Sequence, residues 1–200
     1  MNGFESLLAV IEEQPLSRSL PRVLSTAITI GADDLACWTK LELMGYFPEN
    51  PAMTDEVVVP EYRSVAGAWF DDFGRMFLLE NPDLHFVNEL RLRHGVAELE
   101  GLATATGPLS MRELNNAAVI RETLKVQVTT FEFDPRSISQ VLTNIRVHLL
   151  DRVSAYRGEI APLRVTREAV EPEVFKLAPE FYGVSVDLKA LWRRLFGRGS

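Results

Sequence analysis

The chain is short of the residues that bind metals and cross-link polypeptides. Its 200 residues hold one cysteine, Cys37, and three histidines, His85, His94 and His148. A lone cysteine excludes an intrachain disulfide, and the simple reading of that usage is a reducing, cytoplasmic setting. The four side chains are scattered, with no zinc-ligand spacing among them, so no metal site is expected. Neither G-x-S-x-G, G-x-G-x-x-G nor G-x-x-x-x-G-K-[ST] occurs, so the hydrolase elbow, the dinucleotide fold and the P-loop lack their signatures, and no cofactor is called for. Apolar runs such as Leu7–Ile11 fall far short of the roughly 18 residues of a membrane span. The start, Met1-Asn2-Gly3-Phe4-Glu5, lacks the basic region of a signal peptide. A soluble, cytoplasmic protein is the expectation. Positive charge is scarce too: 21 Lys and Arg face 28 Asp and Glu, a formal charge of −7 and a pI near 5.1. Affinity for duplex DNA rests on neutralising phosphates, so nucleic acid is disfavoured as a partner.

What the chain does contain suits a globular protein, with 46% apolar and 24% charged residues. Phe4, Leu7, Leu8 and Ile11 mark one face of a helix that Pro15 ends. Leu20, Val23, Leu24, Ala27 and Ile28 mark a second, with Ser17 or Ser19 as cap, Pro21 in the first turn and Gly31 as terminator. Asp33 and Asp34 open a third, where carboxylates meet the positive end of the helix dipole, and Gly45 stops it. Residues 47–59 read as a loop. A hairpin is expected over about 61–79, turning at Asp71-Asp72-Phe73-Gly74. A helix follows from Val96, then Ser110 and Glu113 as a capping box, and a strand over about 126–133. Asp134-Pro135 starts a long amphipathic helix over about 135–156, striped by Ile138, Val141, Leu142, Ile145, Leu149 and Val153. The predicted class is α+β, mainly helical with a small antiparallel sheet. One domain is expected over 1–158. A Pro-containing extension, 159–200, ends in a basic amphipathic helix over 186–196.

The stretch Trp38-Thr39-Lys40-Leu41-Glu42-Leu43-Met44-Gly45-Tyr46, with Pro60-Glu61-Tyr62-Arg63 after a Pro-containing loop, resembles the AbiTii family, a domain associated with bacterial abortive infection. Leu99-Glu100 and Ile145-Arg146 with Leu149-Leu150-Asp151 fit as well. The likeness spans roughly residues 4–156. It implies antiviral defence as context and carries no catalytic set.

Physically, Trp38 and Glu42 are four apart and share a helix face. A carboxylate on an apolar face must be paired if buried, and Arg63, on the strand expected next, is the candidate partner. That pairing docks sheet onto helix. The functional reading makes Trp38, Glu42, Tyr46, Tyr62 and Arg63 the lining of a partner or ligand groove. Cys37, mid-helix beside Trp38, reads as a small buried side chain rather than a nucleophile.

Nuclease patterns are weak. Arg146 precedes His148 by two positions, too few for the Arg-x4-6-His pair of HEPN-type ribonucleases. Asp83, Glu89 and Arg91 loosely match a metal-dependent nuclease set, in which carboxylates hold Mg²⁺ and a cation polarises the phosphate. A loop Asp capping a short helix explains the same residues. Arg91-Leu92-Arg93-His94 reads as a solvated basic surface. The 186–196 helix has an apolar face of Leu188, Leu191, Trp192 and Leu195, and Trp192, Arg193 and Arg194 are candidates for docking a partner. The reading is a non-enzymatic module of a defence system that works through a protein partner or self-association. The alternatives are a divergent nuclease built on Asp83, Glu89 and Arg91, or an antitoxin-like binder using the basic helix.

Overall fold

Three consecutive helices begin the chain. A computed structural model describes residues 2–163, other than Asn81 and Glu113 and the side chains of residues 82, 83, 114 and 115. The helix expected over 186–196, with Trp192, Arg193 and Arg194, lies outside the described residues.

Helix α1 spans Gly3–Glu13. Asn2 caps it in a reciprocal box with Glu5, and Phe4, Leu7 and Ile11 are buried. Helix α2 spans Leu16–Ile30 and closes at Gly31, whose φ of 72° is the left-handed conformation expected there. It starts earlier than the sequence suggested, because Leu16 is itself buried. Pro21 therefore sits inside α2, not in its first turn. It has no N–H to offer the Ser17 carbonyl, and tertiary packing offsets that loss. Helix α3 spans Asp33–Met44 with both acids in its first turn, and Gly45 stops it at a φ of 85°.

A 3₁₀ turn, Glu61–Arg63, follows the 47–59 loop. Strand β1 is Ser64–Ala66 and β2 is Ala68–Phe70. The expected hairpin is thus shorter at its start: Tyr62 and Arg63 precede the strands, and the break at Gly67 puts β1 and β2 in different sheets. Strand β3, Met76–Phe77, pairs antiparallel with β2. The turn between them is held by Asp71. Its Oδ1 accepts the N–H groups of Phe73 and Arg75 at 2.9 and 2.8 Å, and its Oδ2 pairs with Arg75. A 3₁₀ helix, Pro82–Asn88, leads into β4, Glu89–Arg91. β1 and β4 make a two-stranded sheet.

Helix α4 spans Val96–Leu102, β5 Leu109–Met111, α5 Leu114–Leu124, β6 Thr130–Phe133, α6 Arg136–Ala155 and α7 Arg157–Ile160. Ser110 is not a helix cap. It lies within β5, and its hydroxyl donates to Glu132 of β6 at 3.0 Å. The strand expected over 126–133 is paired only in its second half. Val128 is buried before it, then Phe131 and Phe133 within it. The apolar alternation slips phase at Thr129, which carries its N–H to the Phe70 carbonyl instead of a ladder. The four-stranded sheet runs β3-β2-β6-β5, all antiparallel, so β3 and β5 are its edges.

The described residues form two compact units. The first holds the chain up to Val65, Arg91–Thr106, and Pro135 onward; the second holds Ala66–Leu90 and Gly107–Asp134. In the first, Ile138, Val141, Ile145, Leu149 and Val153 of α6 form the buried stripe that their spacing predicts, and α6 packs on α4 and the 61–63 turn as well as on the N-terminal helices. In the second, Trp69, Phe131 and Ile120 are fully buried, and Trp69 Nε1 donates to the Val87 carbonyl at 2.7 Å.

Two glycines let the end of α3 touch the 93–95 backbone. A Cβ on Gly45 would overlap the Arg93 carbonyl, and one on Gly95 the Leu43 carbonyl. Backbone on both sides cannot yield cheaply, so Gly95→Ala should cost about 1–3 kcal/mol in urea unfolding. Gly101, in the last turn of α4 with open space at its Cβ position, gives the contrast: Gly101→Ala should stabilise, by up to about 0.5–1 kcal/mol.

Candidate functional site

The five residues singled out from the sequence, Trp38, Glu42, Tyr46, Tyr62 and Arg63, meet in one cluster within the first unit. Helix α3 presents Trp38 and Glu42 one turn apart on its inner face. Gly45 then turns the chain so that Tyr46 folds back beneath Glu42. The 3₁₀ turn, and not a strand, delivers Tyr62 and Arg63.

The ionised pair is Glu42 Oε2 with Arg63 Nη1, both side chains with 0% exposure. Glu42 Oε1 accepts the hydroxyls of Tyr46 and Tyr62, each at 2.7 Å. Tyr62 Oη in turn accepts from Trp38 Nε1 at 3.0 Å. Arg63 is occupied at every nitrogen: Nε donates to the Leu92 carbonyl at 2.8 Å, Nη1 to Glu42 and Nη2 to the His94 carbonyl. Its guanidinium also lies over the Tyr46 ring, 5.0 Å from the centroid. A buried ion pair persists when its remaining polar atoms are met, and here each nitrogen of Arg63 and each oxygen of Glu42 has a partner.

Burial, followed by the charge of Glu42, pushes both tyrosine hydroxyls well above their ordinary range. Neither is a base or nucleophile near neutral pH; both are fixed donors. The cluster is therefore a structural clamp that joins α3, the 60s and the 90s of the chain.

Several partners carried no label in the sequence. His94 is not part of a solvated basic surface. It is 5% exposed, with Leu92 beside it at 0%. Arg91 does face outward and reaches the Val59 carbonyl and Glu61. The His94 Nε2 lies 3.8 Å from Glu98, and Nδ1 has no partner among the described residues. The ring meets Phe47 edge to face. Burial is the main cause that lowers its pKa, Arg63 adds to the lowering, and Glu98 opposes it.

A second missed set lies on α6. Asn144 donates to the Tyr62 carbonyl at 3.3 Å, the His148 ring stacks on Tyr62 at 4.2 Å, and Arg152 covers the Trp38 ring at 5.1 Å. Their spacing of four along one helix was the available signal. His148 and Arg152 are exposed. Arg146 faces elsewhere, onto the carbonyls of Ile11 and Gln14.

The nuclease alternative gathers less. Asp83 falls in the 3₁₀ helix 82–88, with its side chain outside the described residues, while Glu89 and Arg91 are exposed on β4. Among the described residues no group of three or more His, Cys, Asp or Glu could hold a metal ion. Cys37 is exposed, not buried as its helix position suggested, with Sγ 3.9 Å from the Ala52 carbonyl. No described helix is long and apolar enough to cross a membrane.

A sequence model of the family described as AbiTii matches residues 7–167. No curated protein and no solved structure matches the chain.

Glu42→Ala leaves the Arg63 charge buried and unpaired, so it should cost about 3–5 kcal/mol in chemical denaturation. Glu42→Leu with Arg63→Met should cost less than the two single changes summed, because each removes what the other needs. His94 predicts a pH slope. Its folded pKa lies below the ordinary value of 6.5, so at acid pH the unfolded chain binds a proton that the folded chain refuses. Stability should fall as pH drops below about 6.5, and His94→Asn should flatten that part of the thermal-melt profile whatever it does to the midpoint at pH 7.5.

Proposed function

The chain belongs to the AbiTii family, and from that premise we propose that it is a non-enzymatic protein-interaction module of bacterial abortive-infection defence. The observation that carries the reading is that the polar groups of the Trp38–Arg63 cluster satisfy one another. Glu42, Arg63 and both tyrosines have partners inside the fold, and none is left over to polarise a substrate. Glu42, Tyr46 and Arg63 set the shape of the first unit. Trp38 and Tyr62, with His148 and Arg152 laid over them, form the face that a partner protein or a second copy meets. An arginine and aromatic rings on one face suit protein recognition. The protein acts in the cytoplasm, where infection proceeds, and the basic segment carrying Trp192, Arg193 and Arg194 is a further docking element.

The reading predicts a split between stability and defence. In bacteria expressing the chain and challenged with phage, His148→Ala with Arg152→Glu should abolish protection while the purified protein keeps its melting temperature within about 2 °C, the ordinary scatter of a surface change. Asp83→Ala and Glu89→Ala should leave protection intact. Mg²⁺-dependent cleavage of RNA or DNA by the purified protein, lost in Asp83→Ala, would replace this reading with the nuclease one.

A further inference from the structure

In the second unit, α5 and the extended segment after it line a half-open cavity of ≈ 350 Å³. Two adjacent small residues, Ala117 and Ala118, leave the room on the helix side, and Val128 supplies an apolar wall opposite. Arg121 stands one turn beyond Ala117 on the same face of α5, and Arg112 approaches from the end of β5. Gln127 lines the cavity as well.

Among the described residues, the side chains of Arg112, Arg121 and Gln127 have no hydrogen-bond or ion-pair partner. A generally basic surface does not account for them. Residues 66–90 and 107–134 contain four Lys or Arg against nine Asp or Glu. One of the four, Arg75, is paired with Asp71. The other three, Arg112, Arg121 and Lys125, fall within one short stretch around the cavity. A guanidinium offers fixed N–H donors and keeps its charge, and two on one cavity suit an oxyanion with several acceptor oxygens. The apolar walls suit a body attached to that anion. The volume lies at the small end of ligand sites, the range of a mononucleotide rather than a large cofactor.

We propose that this cavity binds a small phosphate monoester of mononucleotide size, with Arg112 and Arg121 on the phosphate and Ala117, Ala118 and Val128 against the body. The site shares no residue with the cluster around Glu42 and does not depend on the interaction reading given above.

The test is calorimetric titration of the full chain with AMP, inorganic phosphate and adenosine, backed by thermal shift. AMP should bind, and phosphate alone and adenosine alone should each bind at least about tenfold more weakly, since each lacks half of the contacts. Arg112→Gln with Arg121→Gln should weaken AMP at least about tenfold while the ligand-free melting temperature stays put, because neither arginine side chain has a partner to lose among the described residues. Ala118→Trp should block the cavity and give the same loss. Arg22→Gln, an exposed arginine of the first unit, should change nothing. No heat and no shift with millimolar AMP would overturn the proposal. So would equal AMP affinity in the double variant, or binding of an RNA oligonucleotide that survives Ala118→Trp. Phosphate binding as tightly as AMP would overturn the part assigned to the apolar walls.

Discussion

The pairing of Glu42 with Arg63 is the constraint from which the arrangement of the first unit follows. Removing two charges from water is costly, and the attraction between them offsets that cost only when every other polar atom of the pair is met. The requirement spreads outward. Glu42 needs two hydroxyls, so Tyr46 and Tyr62 are fixed as protonated donors. Arg63 needs two carbonyls, so the Leu92–His94 backbone must run alongside. That backbone can come close only where Gly45 and Gly95 carry no side chain. One ion pair thus sets the relative placement of segments that lie decades of residues apart in sequence. An arrangement that separates the pair leaves a charge stranded.

Much of the first unit was legible because helices announce themselves by period and by their ends. The α6 stripe, the Gly31 and Gly45 stops and the Asp33-Asp34 start are side-chain signals, and each lies where its chemistry demands. The Glu42–Arg63 pair was legible for a related reason. A carboxylate in an apolar helix face needs a cation, and Arg63 is the first to arrive after the loop.

What escaped notice was mostly backbone. The carbonyls of Leu92 and His94 that bind Arg63 have no sequence signature, so Arg91-Leu92-Arg93-His94 was read by its charges instead of by the buried Leu92 between them. Strands of two to four residues are too short to display a period, which is why β1 and β2 merged into one expected strand and β4 was invisible. The second unit shows the same limit, since its cavity depends on two alanines and on the segment Gln127–Thr129, none of which stands out in one dimension.

The first unit is discontinuous along the chain, and one arginine shows what that entails. The carbonyls at the end of α1 are met by Arg146 of α6, and the α1 face packs partly on that same late helix. An eleven-residue helix is marginal alone in water. During synthesis the first helix therefore emerges from the ribosome long before its partner exists. Helix α2 covers part of its apolar face at once, but the remainder waits for α6, and that delay exposes the nascent protein to chaperones and to misassembly.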